Sequence, residues 1–139
     1  MAYWLKRWGT NEDPYRDDML EDHLTFSEKA APKGTPRVRE RDRLIVTGVR
    51  TRGALVAVAT ATSEVTRSGK HLRWPWKCRA DFNLKCLARE APRLVVIPDP
   101  GKKIQGWHRT GDGLRPLTAE QFRAAERAIR RVCRTSKCT

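Results

Sequence analysis

Trp76-Lys77-Cys78-Arg79-Ala80-Asp81-Phe82-Asn83-Leu84-Lys85-Cys86 is the stretch whose reading decides the fold. Its even positions are apolar and its odd positions polar, a period of two held for eleven residues. Successive side chains of a strand point to opposite faces, so the stretch predicts a half-buried strand with one wet, mostly basic face. Upstream, Leu44-Ile45-Val46-Thr47 and Leu55-Val56-Ala57-Val58-Ala59-Thr60 are rich in β-branched residues and bracketed by Gly48 and Gly53. They predict a hairpin with its tip at residues 49–52, from which Arg50 and Arg52 reach solvent. Leu94-Val95-Val96-Ile97, stopped by Pro98, predicts another strand, and Tyr3-Trp4-Leu5 a short one at the front. Five strands within about a hundred residues suggest a small closed or nearly closed sheet.

A helix ends the chain. Thr118 is its expected N-cap, Gln121 completes a capping box three residues later, and Leu117 staples to Phe122. Phe122, Ala125, Ile129 and Val132 share one face at helical spacing, and Arg123, Arg127, Arg130 and Arg134 line another. Residues 9–40 mix Gly, Pro and acids; they predict a short helix around 19–26 and a loop at Ala30-Ala31-Pro32-Lys33-Gly34-Thr35-Pro36.

The chain has 139 residues, 39% of them hydrophobic, which suits one core in one domain over 1–134 with a tail at 135–139. The longest apolar run, residues 54–61, is too short to cross a bilayer, and the opening residues lack the pattern of a signal peptide. The expectation is a cytoplasmic monomer without a membrane partner. Cys78, Cys86, Cys133 and Cys138 follow no common zinc spacing, so neither a metal nor another cofactor is expected. Cys78 and Cys86 fall on the apolar face of their strand, and Cys133 with Cys138 could pair only under oxidation.

Charge points to the partner. Lys and Arg number 29 against 16 Asp and Glu, for a net charge of +13. Residues 11–30 hold seven acids against Arg16 and Lys29, so the remainder is more basic still. Such a field attracts polyanions. Four of the five tryptophans lie in short cationic segments: Lys6-Arg7-Trp8, Arg73-Trp74-Pro75-Trp76-Lys77 and Trp107-His108-Arg109. An aromatic face beside a cation can stack a base and hold its phosphate, and stacking contributes about 1–3 kcal/mol per base.

Trp107, in a loop without apolar periodicity, leads the candidates for a base-binding pocket, followed by Trp8, Trp74 and Trp76, with His108 as a hydrogen-bonding neighbour. Trp76 shares its strand's apolar face, so packing competes with ligand contact there. Candidate phosphate contacts are Arg109, Arg50, Arg52, Arg73 and the helical Arg123, Arg127, Arg130 and Arg134. No residue is assigned a catalytic role. The enzymatic alternative is a small ribonuclease working through His71 and His108. A third reading has the acidic segment cover the basic surface until a partner, DNA, RNA or an effector protein, displaces it.

Tyr3-Trp4-Leu5, Arg41-Asp42-Arg43-Leu44-Ile45-Val46 with residues 53–64, Trp74-Pro75-Trp76, and Leu117-Thr118-Ala119-Glu120-Gln121-Phe122 together resemble an EVE domain of the PUA-like superfamily, related to YTH and ASCH domains. The resemblance implies an α+β fold, a mixed β-barrel of about five or six strands flanked by short helices with a C-terminal helix. It also implies a pocket for an extruded nucleobase, such as a methylated or hydroxymethylated one. A general RNA-binding module of PUA or ASCH type is the nearby alternative.

Overall fold

The computed structural model describes residues 1–26, 36–67, 75–98 and 113–136, with residues 134–136 described by backbone alone. Its strands are β1 (Tyr3–Trp8), β2 (His23–Phe26), β3 (Arg43–Gly48), β4 (Leu55–Ala61), β5 (Thr66–Arg67), β6 (Trp76–Lys85) and β7 (Leu114–Leu117), followed by helix α1 (Ala119–Ser136). The sheet runs β2-β6-β4-β3-β1-β7, with β5 also paired to β6. β1 is parallel to β3 and antiparallel to β7, so the sheet is mixed. The architecture is α+β, a curled sheet resembling a half-barrel with a C-terminal helix. Among the described residues no helix is long and apolar enough to cross a membrane.

The expected hairpin is β3 and β4, with Ile45 opposite Val58 and a register shift after Val46. Both strands are buried over most of their length because the sheet is covered on two sides. The alternating stretch forms β6 with Cys78, Ala80 and Cys86 buried and Lys77, Arg79, Asp81 and Asn83 exposed. α1 begins as expected: the Thr118 amide donates to Gln121 Oε1 at 2.9 Å and the Gln121 amide to Thr118 Oγ1 at 3.0 Å. Phe122, Ala125 and Ile129 face the sheet, and Phe122 stacks on Tyr3 at 4.7 Å between ring centroids. Cys133 Sγ donates to the Lys85 carbonyl at 3.4 Å.

Two expected elements differ. Residues 94–97 form no strand. An antiparallel bridge joins Ala54 to Arg93, the Leu94 amide donates to the Gly53 carbonyl at 2.7 Å, and a 3-10 turn (Leu94–Val96) follows. That turn buries Leu94 and Ile97 and leaves Val95 and Val96 exposed, a three-residue spacing that a strand would not give. Around residues 19–26 the expected helix is instead a 3-10 turn (Asp17–Met19) followed by β2, where Leu24 and Phe26 alternate inward. β2 gains more by pairing with β6, Leu24 opposite Cys78, than a single isolated helical turn could supply.

The curl brings β1 over β2 although no backbone ladder joins them. Side chains cross the gap instead: the Trp8 and His23 rings sit 6.4 Å apart, and Lys6 Nζ lies 5.3 Å from the centre of Phe26. At the other end of the same face, buried Asp42 ties the N-terminus to the barrel. Its carboxylate accepts the Trp4 indole at 3.0 Å and the amides of Ala2 and Arg39 at 2.8 and 2.9 Å.

Candidate functional site

The last three residues of β1 divide two cavities. Strand alternation sends Lys6 and Trp8 to one side and Arg7 to the other. Backbone bonds fix this end of the strand: the Arg7 amide donates to the Gly113 carbonyl at 2.8 Å, and the Val49 amide to the Trp8 carbonyl at 2.9 Å.

On the Arg7 side, a cavity of about 400 Å³ lies between β1, the β3–β4 turn and the 3-10 turn at Leu94. Arg7, Arg50, Arg52 and Asn11 supply its polar groups, and Val49, Leu94 and Val95 supply apolar surface. The described residues of its lining include no acid. Its volume falls within the roughly 300–1,000 Å³ of small-ligand sites.

The turn beneath this cavity is held in an unusual conformation. Arg50, Arg52 and Gly53 have φ of 62°, 60° and 78°. For glycine this is inexpensive, but for each arginine the left-handed region costs roughly 1–2 kcal/mol. A compact set of bonds imposes it. Thr51 Oγ1 donates to the Gly48 carbonyl at 2.6 Å and accepts the Ala54 amide at 3.1 Å, while the Arg93 guanidinium donates to the Thr51 carbonyl. Gly48 is required there as well, because a Cβ would fall 2.7 Å from the Tyr15 ring. Non-glycine residues forced into such geometry gather at ligand sites.

On the other side, a cavity of about 490 Å³ opens where β1 crosses β2. Lys6, Trp8, Thr25 and His23 line it, with Asp13, Arg16 and Glu21 among the rim residues. Lys6 is 2% exposed. Its amine donates to the Arg7 carbonyl at 2.7 Å and lies 5.4 Å from the centre of the Trp8 ring. Burial lowers its pKa to about 7; the nearby Cys78 thiol opposes the shift and Arg7 adds to it. Burial likewise pushes Cys78 up to about 11. Glu21, Asp22 and His23 can bring their donor atoms within 4.8 Å of one another, but two of the three are exposed acids and no ion is assigned to them.

The sequence-derived candidates are thus distributed unevenly. Arg50 and Arg52 join Arg7 at one cavity, while Trp8, 9% exposed, lines the other. Trp76 is half-buried in β6 with the Arg67 guanidinium 5.4 Å from its ring centre. Arg123, Arg127 and Arg130 are exposed on α1 and line neither cavity. Arg130 shares Glu126 with Arg43, at 3.5 and 3.0 Å respectively. Arg134 belongs to α1, its side chain outside the description. Trp74, Trp107, His108, Arg109, Arg73 and His71 lie outside the described residues, as does Cys138. Of the acidic segment, Asp13 and Asp18 pair with Arg16, and Asp17 accepts the Ala88 amide at 3.0 Å. Sequence reasoning passed over Lys6 and over the role of Arg7, because the adjacent cations in Trp4-Leu5-Lys6-Arg7-Trp8 break the alternation expected of a half-buried strand.

No protein-family model and no curated protein matches this sequence. Solved structures share its fold. A hypothetical protein from Leishmania major superposes with a TM-score of 0.63 at 12% identity, over 94% of this chain and 96% of that one. Protein Atu2648 from Agrobacterium tumefaciens gives 0.60 at 13% identity, over 92% and 93%. Rpa0253 from Rhodopseudomonas palustris gives 0.56 at 15% identity, over 93% of each chain. At these identities the likeness is one of fold: the chain is similar, nearly end to end, to each of these proteins.

Proposed function

We propose that this protein is a nucleic-acid-binding module that receives one extruded nucleobase, a modified one by preference, in the cavity beside Arg7 while arginines hold the flanking phosphates. The observation that carries this reading is the placement of Arg50 and Arg52. Both are exposed and conformationally costly, and both border an apolar-floored cavity with no acid among the described residues of its lining. Guanidinium groups above apolar surface suit a planar heterocycle attached to a phosphodiester.

Chain connectivity supports the same cavity. The segment carrying Trp107, His108 and Arg109 follows Pro98, just beyond Leu94 and Val95 of the lining, and leads into Gly113, which is bonded to Arg7. Trp107, which lies outside the described residues, is the proposed stacking ring. The resemblance to EVE domains and the net charge of +13 point the same way. Unstacking a base costs a few kcal/mol, which stacking and edge hydrogen bonds can restore.

The test is fluorescence anisotropy with DNA and RNA oligonucleotides, each bearing one modified base, at about 150 mM salt where non-specific attachment is weakened. Trp107→Ala should lose discrimination between modified and unmodified strands. Arg50→Gly with Arg52→Gly should weaken binding to all strands and lower the salt slope by about one per lost phosphate contact. A double arginine variant that binds like the parent would remove this cavity from consideration.

A further inference from the structure

The second cavity has a different chemistry. Lys6 is its least exposed lining residue, the only primary amine among the described lining residues, and it is packed against the Trp8 and Phe26 rings. A methionine would fill the same strand position without bringing a charge out of water, so packing alone does not account for the residue. His23 borders the same space with Nδ1 at 3.1 Å from Asp22 Oδ1, an arrangement in which Nδ1–H donates and Nε2 is left as the basic nitrogen. The cavity, which Asp13, Arg16 and Glu21 also border, has a volume of about 490 Å³, enough for a small ring.

We propose that this cavity is a second ligand site, which captures a small aromatic aldehyde on Lys6 as a reversible imine. The Nζ lone pair adds to the carbonyl carbon, forming a C–N bond, and the carbonyl π electrons move to oxygen, which takes up a proton. Nitrogen gives up a proton to a base of the cavity, with His23 Nε2 the nearest in kind, and a carbinolamine results. Return of that proton to the hydroxyl releases water as the nitrogen lone pair closes the C=N bond, so amine, aldehyde and the proton taken up by oxygen become protonated imine and water with nothing oxidised or reduced. Burial favours the neutral, nucleophilic amine near pH 7. The faces of Trp8 and Phe26 stabilise the protonated imine by cation–π attraction. Besides His23, the ionisable groups around the amine are Cys78 from β6, Arg7 from β1, and Asp13, Arg16 and Glu21 at the rim.

The test is benzaldehyde with sodium cyanoborohydride at pH 7 on the full chain, followed by peptide mapping over time. Lys6 should acquire the benzyl group at least about ten-fold faster than any other lysine, with a pH–rate midpoint near 7 in place of the ordinary lysine range. Trp8→Leu should slow Lys6 labelling while surface lysines keep their rates, and Lys6→Arg should lose the fast phase. Labelling of Lys6 no faster than the surface average, or only after urea is added, overturns the proposal. The base-binding reading stands or falls separately, since Arg50 and Arg52 border the other cavity.

Discussion

Replacing Lys6 by methionine removes a charge that the fold must hold out of water. In the unfolded chain the amine keeps its ordinary value of 10.5, and in the folded protein it falls to about 7. Below pH 7 both states are protonated and the whole penalty is present. Between 7 and 10.5 the unfolded state binds more protons, so stability rises with pH. At about 1.36 kcal/mol per pH unit, the gain from pH 7 to 9 comes to about 2 kcal/mol once partial titration at each end is included. Above 9 Cys78 works in the opposite sense: its folded thiol stays protonated to about 11 while the unfolded thiol ionises from 9.0, so its slope offsets that of Lys6 and stability levels off up to 10.5. Lys6→Met removes the amine penalty but leaves the Arg7 carbonyl without that donor, a loss of about 1 kcal/mol. The net expectation at pH 7 is a variant more stable by about 1–3 kcal/mol, with a flat profile from 7 to 9. Urea titrations followed by tryptophan fluorescence at half-unit pH steps would measure both quantities. A parent whose stability is level across that window, or a methionine variant weaker than the parent at pH 7, refutes the reasoning.

Arg52→Gly should move stability and binding in opposite directions: relief of the left-handed backbone adds about 1 kcal/mol, while the salt slope of nucleic-acid binding falls by about one. Asp42→Ala strands the Trp4 indole and the amides of Ala2 and Arg39, and should lower unfolding free energy by about 3–5 kcal/mol in urea. Gly48→Ala places a methyl 2.7 Å from Tyr15 Cγ and 2.8 Å from Thr51 Cγ2, which should cost about 1–3 kcal/mol and be visible as a lower melting temperature. Arg127→Ala should leave base preference unchanged and weaken all strands equally, as read from parallel anisotropy titrations.

What the sequence made legible were the elements whose pattern was long or locally closed. Eleven alternating residues specify β6, because no helix puts every second residue on one side. The capping box of α1 is a reciprocal pair of bonds that depends on nothing beyond its own four residues. Short elements were ambiguous. His23-Leu24-Thr25-Phe26 offers two alternations and adjoins Met19 and Leu20, so the same apolar residues also fit a helical repeat until β6 provides a ladder. Leu94-Val95-Val96-Ile97 has strand composition, yet its amide at Leu94 is taken by Gly53, forty-one residues earlier, and the chain must turn. The candidate site was legible as Arg50 and Arg52 in a turn, since glycines frame it. The partner Arg7 and the separation of Trp8 from that cavity follow from extending β1 past Leu5, which the cationic Lys6-Arg7 pair obscured.

Between β1 and β2 the barrel is fastened by rings and one amine, with no ladder of amides. A ladder parts only as successive hydrogen bonds break together, whereas side chains can rotate away singly. This side should therefore part more readily than the laddered strands: β2 amides should exchange with deuterium sooner than those of β3 and β4, which lie between paired neighbours. Ligands of the Lys6 cavity would enter along that line without disturbing the central strands, and mutations that tighten it, such as an apolar residue at position 6, would exchange access for rigidity.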